Sequence, residues 1–168
     1  SGRAFLPIVT TVTSFGQTFP PVAVLALAVP IMGFGLKPTV VALFLYGLLP
    51  VVRNTVAGLG AVPAYLLDAA YGLGMSRRQA LFRVELPMAT RIIIAGVRIS
   101  VIINIGTAMV GAVIGAGGLG SPIVAGLVQD NLAFIIEGAV PAALLAILAD
   151  QLLGRLEDQF ATAPAAAR

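Results

Sequence analysis

The sequence contains no cysteine, no histidine and no tryptophan, and only 10% of its 168 residues are charged. The absence of cysteine excludes disulfides and thiolate chemistry, and the absence of histidine removes the most common general base and metal ligand. The single lysine, Lys37, precedes a proline and does not follow a glycine-rich loop, so the chain has no Walker A phosphate loop. We therefore expect no catalytic, cofactor or metal site in this chain.

Apolar residues make up 59% of the chain and its mean hydropathy is +1.04, which is typical of an integral membrane protein. A helix needs about 20 mostly apolar residues to cross the hydrocarbon core of a bilayer. Four stretches meet this length, at residues 17–36, 39–59, 88–114 and 132–154. The expected fold is all-α, with about four spanning helices in a single transmembrane domain covering residues 1–168.

Prolines and glycines predict where these helices bend and turn. Proline removes a helical hydrogen bond, so Pro20, Pro21 and Pro30 are expected to kink the first span and Pro50 the second. Residues 33–38 combine two glycines with Lys37 and a proline. This pattern predicts a tight turn that makes the first two spans an antiparallel hairpin.

A polar, arginine-bearing segment at residues 63–87 separates the second and third spans. Pro63 suits the first turn of a helix that runs to about Gly72, and Gly74 permits a reversal of the chain. Ser76 is a good N-cap for a second helix, which Pro87 is expected to end. The segment is therefore predicted to be a helix-turn-helix outside the bilayer.

The arginines predict the orientation of the chain, because cytoplasmic flanks of membrane spans retain positive charge. Lys37 is the one basic residue on the opposite side from the 63–87 segment. The arginines on the side of that segment are Arg3, Arg53, Arg77, Arg78, Arg83, Arg91, Arg155 and Arg168. This bias predicts that the segment and both ends of the chain are cytoplasmic.

The spacing inside the polar segment resembles a known motif. Asp68-Ala69-Ala70, three residues, Gly74, nine residues and then VELP ending at Leu86-Pro87 are similar to the EAA loop of the membrane-spanning subunits of ABC importers. The flanking sequences PVVRNT at 50–55, AGVR at 95–98 and IGAGGLG at 114–120 resemble the branch that imports glycine betaine, choline or carnitine. The resemblance covers most of the chain.

This resemblance implies a multi-pass permease subunit in the inner or plasma membrane of a prokaryote, without an ATPase site of its own. Its implied partners are two cytoplasmic ATPase subunits that bind the ATP, a second permease chain, identical or different, and an extracytoplasmic binding protein or fused domain. The N-terminal helix or helices that precede this region in the family are expected to be absent here. The residues implied to contact the ATPase are Asp68, Ala69, Ala70, Gly74, Leu86 and Pro87.

Three other interpretations remain open. Methionine permeases share the EAA loop and a similar glycine-rich turn, so an amino acid is the alternative substrate. A membrane scaffold that only docks a cytoplasmic protein is an alternative of a different class. The polar segment itself would also suit an amphipathic loop on lipid headgroups, although that would not require fixed spacing.

Charged and glycine residues inside the spans are the remaining candidates. Arg98 is expected to form an ion pair rather than to touch substrate, with Asp150 within its reach, although Arg91 matches the depth of Asp150 better. Gly117, Gly118 and Glu137 are placed at the translocation path, with simple helix packing as the equal alternative for the glycine run. A quaternary ammonium is normally held by an aromatic cage, and the three tyrosines are scattered, so the high-affinity site is expected on the binding component.

Overall fold

The computed structural model describes residues 19–160, and these form helices joined by short turns, with no β-strand among them. This arrangement confirms the all-α prediction. Residues 1–18 and 161–168, which include Arg3 and Arg168, lie outside the described part of the chain. The helices are α1 (Pro21–Met32), α2 (Leu36–Gly60), α3 (Ala64–Gly72), α4 (Arg77–Ile114), α5 (Gly120–Val128) and α6 (Leu132–Gln159).

Three of these helices are long and apolar enough to cross a membrane: α2 with 25 residues, α4 with 38 and α6 with 28. The first expected span, residues 17–36, corresponds to α1, which is apolar but only 12 residues long. The prediction that Pro20 and Pro21 kink this helix is wrong. Pro20 is the extended N-cap and Pro21 is the first helical residue, a position where the missing N–H of proline has no helical partner to lose. Only Pro30 lies inside α1.

The turn between α1 and α2 is shorter than the sequence indicates. Gly33 and Gly35 have φ values of 79° and 103°, which favour glycine, and α2 begins at the next residue. Lys37 and Pro38 therefore belong to the first turn of α2 instead of the connecting turn. The N–H of Gly35 donates to the carbonyl of Ile114 at 2.7 Å, which fastens this turn to the end of α4.

Helices α2 and α4 pack closely along an antiparallel line of small residues, here called the seam. A Cβ on Gly111 would lie 2.4 Å from Cγ2 of Thr39, so the two backbones approach to a distance that only glycine permits. Close approach of this kind is how membrane helices gain packing energy when lipid supplies no hydrophobic driving force. The paired residues are Gly58 with Ala89, Gly96 with Pro50 and Asn54, Gly47 with Ser100 and Asn104, and Gly111 with Thr39.

The seam explains the two sequence motifs that flank the polar segment. Asn54 belongs to PVVRNT, and its Nδ2 donates to the carbonyl of Pro50 at 2.9 Å, inside its own helix. Gly96 belongs to AGVR, and a Cβ there would lie 2.6 Å from Cβ of Asn54. The two motifs are therefore the two sides of one contact.

Helix α4 continues through the position where the sequence predicts its end. Pro87 lies in the first turn of the α-helical stretch Leu86–Gly111, and the preceding residues Leu81–Glu85 form a π-helical turn that joins it to Arg77–Ala80. The expectation that Pro87 ends a separate helix is wrong, because the wider turn carries the chain past the proline ring. At 1.5 Å per residue the resulting rod is roughly 57 Å long.

Helix α5 folds back along the first turns of α6. Gly138 faces Leu119 and Ile123, and Gly126 faces Ile135, so the two helices run antiparallel. Asn131 caps α6, since its Oδ1 accepts a hydrogen bond from the N–H of Ala133 at 3.0 Å. We call this end of the bundle the turn end, and the opposite end, which carries residues 61–76, the loop end.

Candidate functional site

Helix α3 at the loop end has an inner and an outer side. Ala70 on the inner side is only 4% exposed. The residues Tyr65, Asp68, Ala69 and Gly72 are all exposed and recur at the three- and four-residue spacing of one helical face. We call these four residues the α3 outer face.

The sequence-predicted coupling residues divide between these two sides. Asp68 and Ala69 lie on the α3 outer face, where a second protein has access to them. Ala70 is buried inside the chain, so its small side chain serves the packing of α3 and not an external contact. Leu86 is half-buried and Pro87 is exposed, and both lie on α4 beyond the turn.

The turn after α3 depends on the backbone of Gly74. Its φ is 79°, and no atom lies within 4 Å of the place where a Cβ would stand, so conformation and not space requires glycine here. The N–H of Gly74 donates to the carbonyl of Tyr71 at 2.9 Å, and the N–H of Met75 donates to the carbonyl of Ala70 at 3.1 Å. These bonds satisfy the end of α3 and set the direction in which the chain leaves it.

A capping box fixes the start of α4, as the sequence predicted for Ser76. The N–H of Gln79 donates to Oγ of Ser76 at 3.3 Å, and the N–H of Ser76 donates to Oε1 of Gln79 at 2.8 Å. The helix therefore begins at a defined residue instead of fraying. The turn between α3 and α4 is held at both ends.

Large apolar side chains at the loop end were not identified from the sequence. Tyr65 is 69% exposed, Leu73 79% and Phe82 64%. They come from α3, the turn and the π-helical part of α4, so their position at one end of the bundle follows from the fold and not from any single motif. Exposed large apolar groups on an otherwise polar segment are typical of a surface that a partner covers.

Four charged side chains join α4 to α6, and we call them the charge cluster: Arg91, Arg98, Asp150 and Glu157. Nε and Nη2 of Arg98 donate to the two carboxylate oxygens of Asp150 at 2.6 and 2.8 Å. Nη1 of Arg98 also reaches Oε2 of Glu157 at 3.3 Å, and Nε of Arg91 lies 3.9 Å from Oε1 of Glu157. The ion pair predicted for Arg98 is confirmed, whereas the pairing of Arg91 with Asp150 is wrong. Glu157 was not identified from the sequence as a partner of these arginines, because it lies seven residues beyond Asp150 along α6.

Gly154 provides the space for the Arg98 guanidinium. A Cβ on Gly154 would lie 3.3 Å from Cζ and from Nη1 of Arg98. Asp150, Gly154 and Glu157 are spaced by four and three residues, so they share one face of α6. The guanidinium therefore lies flat across the glycine, between the two carboxylates.

The glycine run at the turn end has two distinct roles. Gly115, Gly117 and Gly118 have φ values of 82°, 83° and 76° and no atom within 4 Å of a Cβ position, so they shape the backbone and are not closely packed. Gly120 is closely packed, because a Cβ there would lie 2.6 Å from the carbonyl oxygen of Met109. The packing alternative therefore fits Gly120 and not Gly117 or Gly118.

Glu137 is exposed on α6, next to Gly138. A Cβ on Gly138 would lie 2.5 Å from the carbonyl of Leu119, which follows Gly118 in the chain. The fold thus brings the helical turn that carries Glu137 against the end of the glycine run. The three residues predicted for the translocation path lie in one region, at the turn end.

Comparisons with known proteins agree with this architecture. Residues 1–161 match the family described as the binding-protein-dependent transport system inner membrane component. The chain is 46% identical over 153 residues to the osmoprotectant import permease protein OsmY of Salmonella typhimurium, covering 91% of this chain and 65% of that protein. It is 43% identical over 150 residues to the glycine betaine/carnitine/choline transport system permease protein OpuCD of Bacillus subtilis, covering 89% of this chain and 66% of that protein.

A carnitine transport permease protein OpuCD of Listeria monocytogenes is 46% identical over 142 residues, covering 84% of this chain and 64% of that protein. The chain thus spans slightly less than two thirds of the length of these relatives. Among solved structures, an inward-facing MetNI methionine ABC transporter superposes with a TM-score of 0.81 at 22% identity, covering 95% of this chain and 77% of that one. At this identity the similarity concerns the fold alone.

Proposed function

Because this chain belongs to the family of inner-membrane components of binding-protein-dependent transport systems, we propose that it is the permease subunit of an ATP-driven importer. The proposed substrate is a small quaternary ammonium osmoprotectant, namely glycine betaine, choline or carnitine. The observation that carries this substrate class is the sequence identity of 43% or more to permeases named for osmoprotectants, carnitine, choline and glycine betaine.

The charge distribution in the spans is compatible with this substrate class. Several strong counter-charges along the path would trap a cation, whereas a single carboxylate such as Glu137 can attract it and still release it. Asp150 and Glu157 are occupied by the arginines of the charge cluster, so neither offers an unpaired carboxylate to a passing quaternary ammonium. We place the path at the turn end near Gly117, Gly118 and Glu137, where the high-affinity binding component delivers the substrate.

The loop end is the proposed contact for the ATPase. The α3 outer face carries Tyr65, Asp68 and Ala69, and Leu73 and Phe82, which follow it in the chain, add exposed apolar side chains. In this proposal Gly74 directs α3 toward the partner, and Leu86 and Pro87 connect the contact to the spans. The ATP is bound and hydrolysed by two partner subunits, since this sequence has no Walker A loop.

The remaining partners follow from the same assignment. A second permease chain, identical or different, completes the path, and a binding protein or fused domain on the extracytoplasmic side supplies the substrate. The chain acts as one transmembrane domain with a coupling loop at about residues 63–87. A scaffold without transport is the weaker alternative, because it gives no reason for the glycine-shaped turn at Gly115 to Gly118.

The test is substrate competition in vesicles that contain the complete transporter with its ATPase and binding component. We expect ATP-dependent uptake of labelled glycine betaine, choline or carnitine, and competition among those that share the binding component. Vesicles without ATP are the control. Uptake of methionine that none of the three compounds inhibits would contradict the substrate assignment and keep the importer assignment. If none of these solutes is taken up in an ATP-dependent way, the scaffold interpretation would be favoured.

A further inference from the structure

One stretch of α4 contains no buried side chain. Ala80 and Ala89 are both 0% exposed, and none of the eight residues between them is buried. Ala80 belongs to the short stretch Arg77–Ala80, which packs against α3, and Ala89 packs against Gly58 in the seam. The rod is therefore anchored by buried alanines on either side of residues 81–88, whereas within them Leu81–Glu85 contacts α3 without burying a side chain.

The hydrogen-bond ladder is interrupted in the same stretch. The N–H of Leu86 donates to the carbonyl of Leu81, the five-residue spacing of a π-helix. In an α-helix that N–H would donate to Phe82, and the five-residue partner of Phe82 would be Pro87, which has no N–H. The carbonyl of Phe82 thus has no backbone donor at the four-residue or the five-residue spacing. The carbonyl of Arg83 also lacks its α-helical donor, because that donor would be the N–H of residue 87, which is a proline.

The segments on either side are rigid by comparison. Above the stretch, the seam joins α4 to α2, and the charge cluster joins it to α6 through the bidentate pair of Arg98 with Asp150. Below it, the capping box and the turn at Gly74 fasten α3 to the start of α4. The chain is therefore two well-connected bodies joined through residues 81–88.

We propose that residues 81–88 are a mechanical joint, at which α3 and Arg77–Ala80 swing as one body relative to the membrane spans. Short π-helical turns inside α-helices frequently occur at functional sites, and sharp bends occur where the helical ladder is broken. Pro87 is the positioning residue of this joint, because it removes the N–H that would make the rod uniform. The joint rests on the proposed function in one respect, because the ATPase partner proposed above drives the swing.

The joint is tested by distances between spin labels in the complete transporter. Cysteine pairs can be introduced without competing thiols in this chain, since these 168 residues contain no cysteine. One pair joins Arg78→Cys, below the joint, to Leu152→Cys on α6, which is 64% exposed. The control pair joins Met88→Cys, the last residue of the joint on the side of the spans and 50% exposed, to the same Leu152→Cys. Labelled chain is mixed with an excess of unlabelled chain so that distances within one chain dominate.

We expect the Arg78 pair to change between the nucleotide-free and the vanadate-trapped transporter, while the Met88 pair stays constant. A bend of about 20° acting on the roughly 15 Å of helix from Arg78 to Met88 moves the lower label by about 5 Å. Pro87→Ala restores the missing N–H, so the change in the Arg78 pair is expected to fall by at least half. Pro141→Ala is the matched control, because Pro141 also lies inside a helix but far from the joint.

Equal changes in both pairs would overturn the proposal, since they would mean that the loop end and the spans move as one body. Constant distances in both pairs, or an undiminished change in the Pro87→Ala protein, would overturn it as well. These outcomes are separate from the identity of the substrate. A transporter that hydrolyses ATP and moves the Arg78 label, yet imports no quaternary ammonium, would retain the joint and lose the substrate assignment.

Discussion

Arg98 and Asp150 form a two-point contact between α4 and α6, with Nε and Nη2 of the arginine 2.6 and 2.8 Å from the two carboxylate oxygens. Both side chains are about one third exposed in this chain, at 33% and 38%. An unpaired charge there would be costly. The pair therefore satisfies the two charges and fixes how the two helices lie against each other.

The first prediction concerns this pair. Asp150→Ala is expected to lower the melting temperature of the purified chain by several degrees, because Arg98 keeps only its longer contact with Glu157. Arg98→Lys retains the charge but not the two-point geometry, and should lower the melting temperature less. The double exchange Arg98→Asp with Asp150→Arg should recover part of the loss. If the melting temperature of the double variant is below those of both the Arg98→Asp and the Asp150→Arg protein, the pair is not what joins these helices.

The second prediction concerns the seam. Gly96→Ala would place a Cβ 2.6 Å from Cβ of Asn54 and 2.9 Å from the carbonyl of Pro50, so α2 and α4 must separate. Overpacking of this kind costs about 1–3 kcal/mol. Gly106→Ala is the matched control on the same helix, because no atom lies within 4 Å of its Cβ position. Thermal unfolding in detergent should show a clear loss for Gly96→Ala and none for Gly106→Ala. Equal melting temperatures would mean that the seam is not tightly packed.

The third prediction concerns the turn after α3. Gly74→Val forces a β-branched residue into φ 79°, at a cost of about 1–3 kcal/mol, and is expected to misdirect α3. Asparagine tolerates this backbone region, so Gly74→Asn should retain much of the activity. Gly60→Ala is the control, since Gly60 is helical, has open space around it and lies outside the α3 outer face.

These three variants are measured by co-purification of the ATPase and by uptake in vesicles. Gly74→Val should reduce both strongly, Gly74→Asn mildly and Gly60→Ala hardly at all. A Gly74→Val protein that retains its ATPase and its uptake would contradict the assignment of the loop end as the docking site.

The fourth prediction concerns orientation. The arginine bias predicts that the loop end is cytoplasmic and the turn end extracytoplasmic. Leu73 is 79% exposed at the loop end and Val128 is 81% exposed at the turn end, so cysteine at either site is open to reagents. A membrane-impermeant maleimide added to intact cells should label Val128→Cys, and should label Leu73→Cys only after the membrane is opened. The reverse pattern would invert the topology.

The sequence was sufficient for features that depend on neighbours in the chain. Apolar length gives the three long spans, Ser76 gives an N-cap, and the glycine at 74 gives a turn with positive φ. Each of these is decided within a few residues by hydrophobicity or by backbone sterics.

Features that depend on packing between distant residues were less accessible. The rule that proline ends a helix failed at Pro87, because the π-helical turn before it carries the chain past the proline ring. Glu157 escaped notice as the partner of Arg91, because the relative depth of residues on two tilted helices cannot be counted from residue numbers. The inward position of Ala70 likewise depends on how α3 meets α4.

The antiparallel seam also has a consequence for how the chain is assembled in the membrane. Its contact nearest the loop, Gly58 with Ala89, joins residues only 31 apart in sequence, whereas Thr39 and Gly111 are 72 apart. Because the entropy of closing a loop rises with its length, α2 and α4 are expected to pair first beside the loop and then to zip toward the turn end. The hairpin can begin to form as soon as α4 enters the bilayer, before α6 has been synthesised.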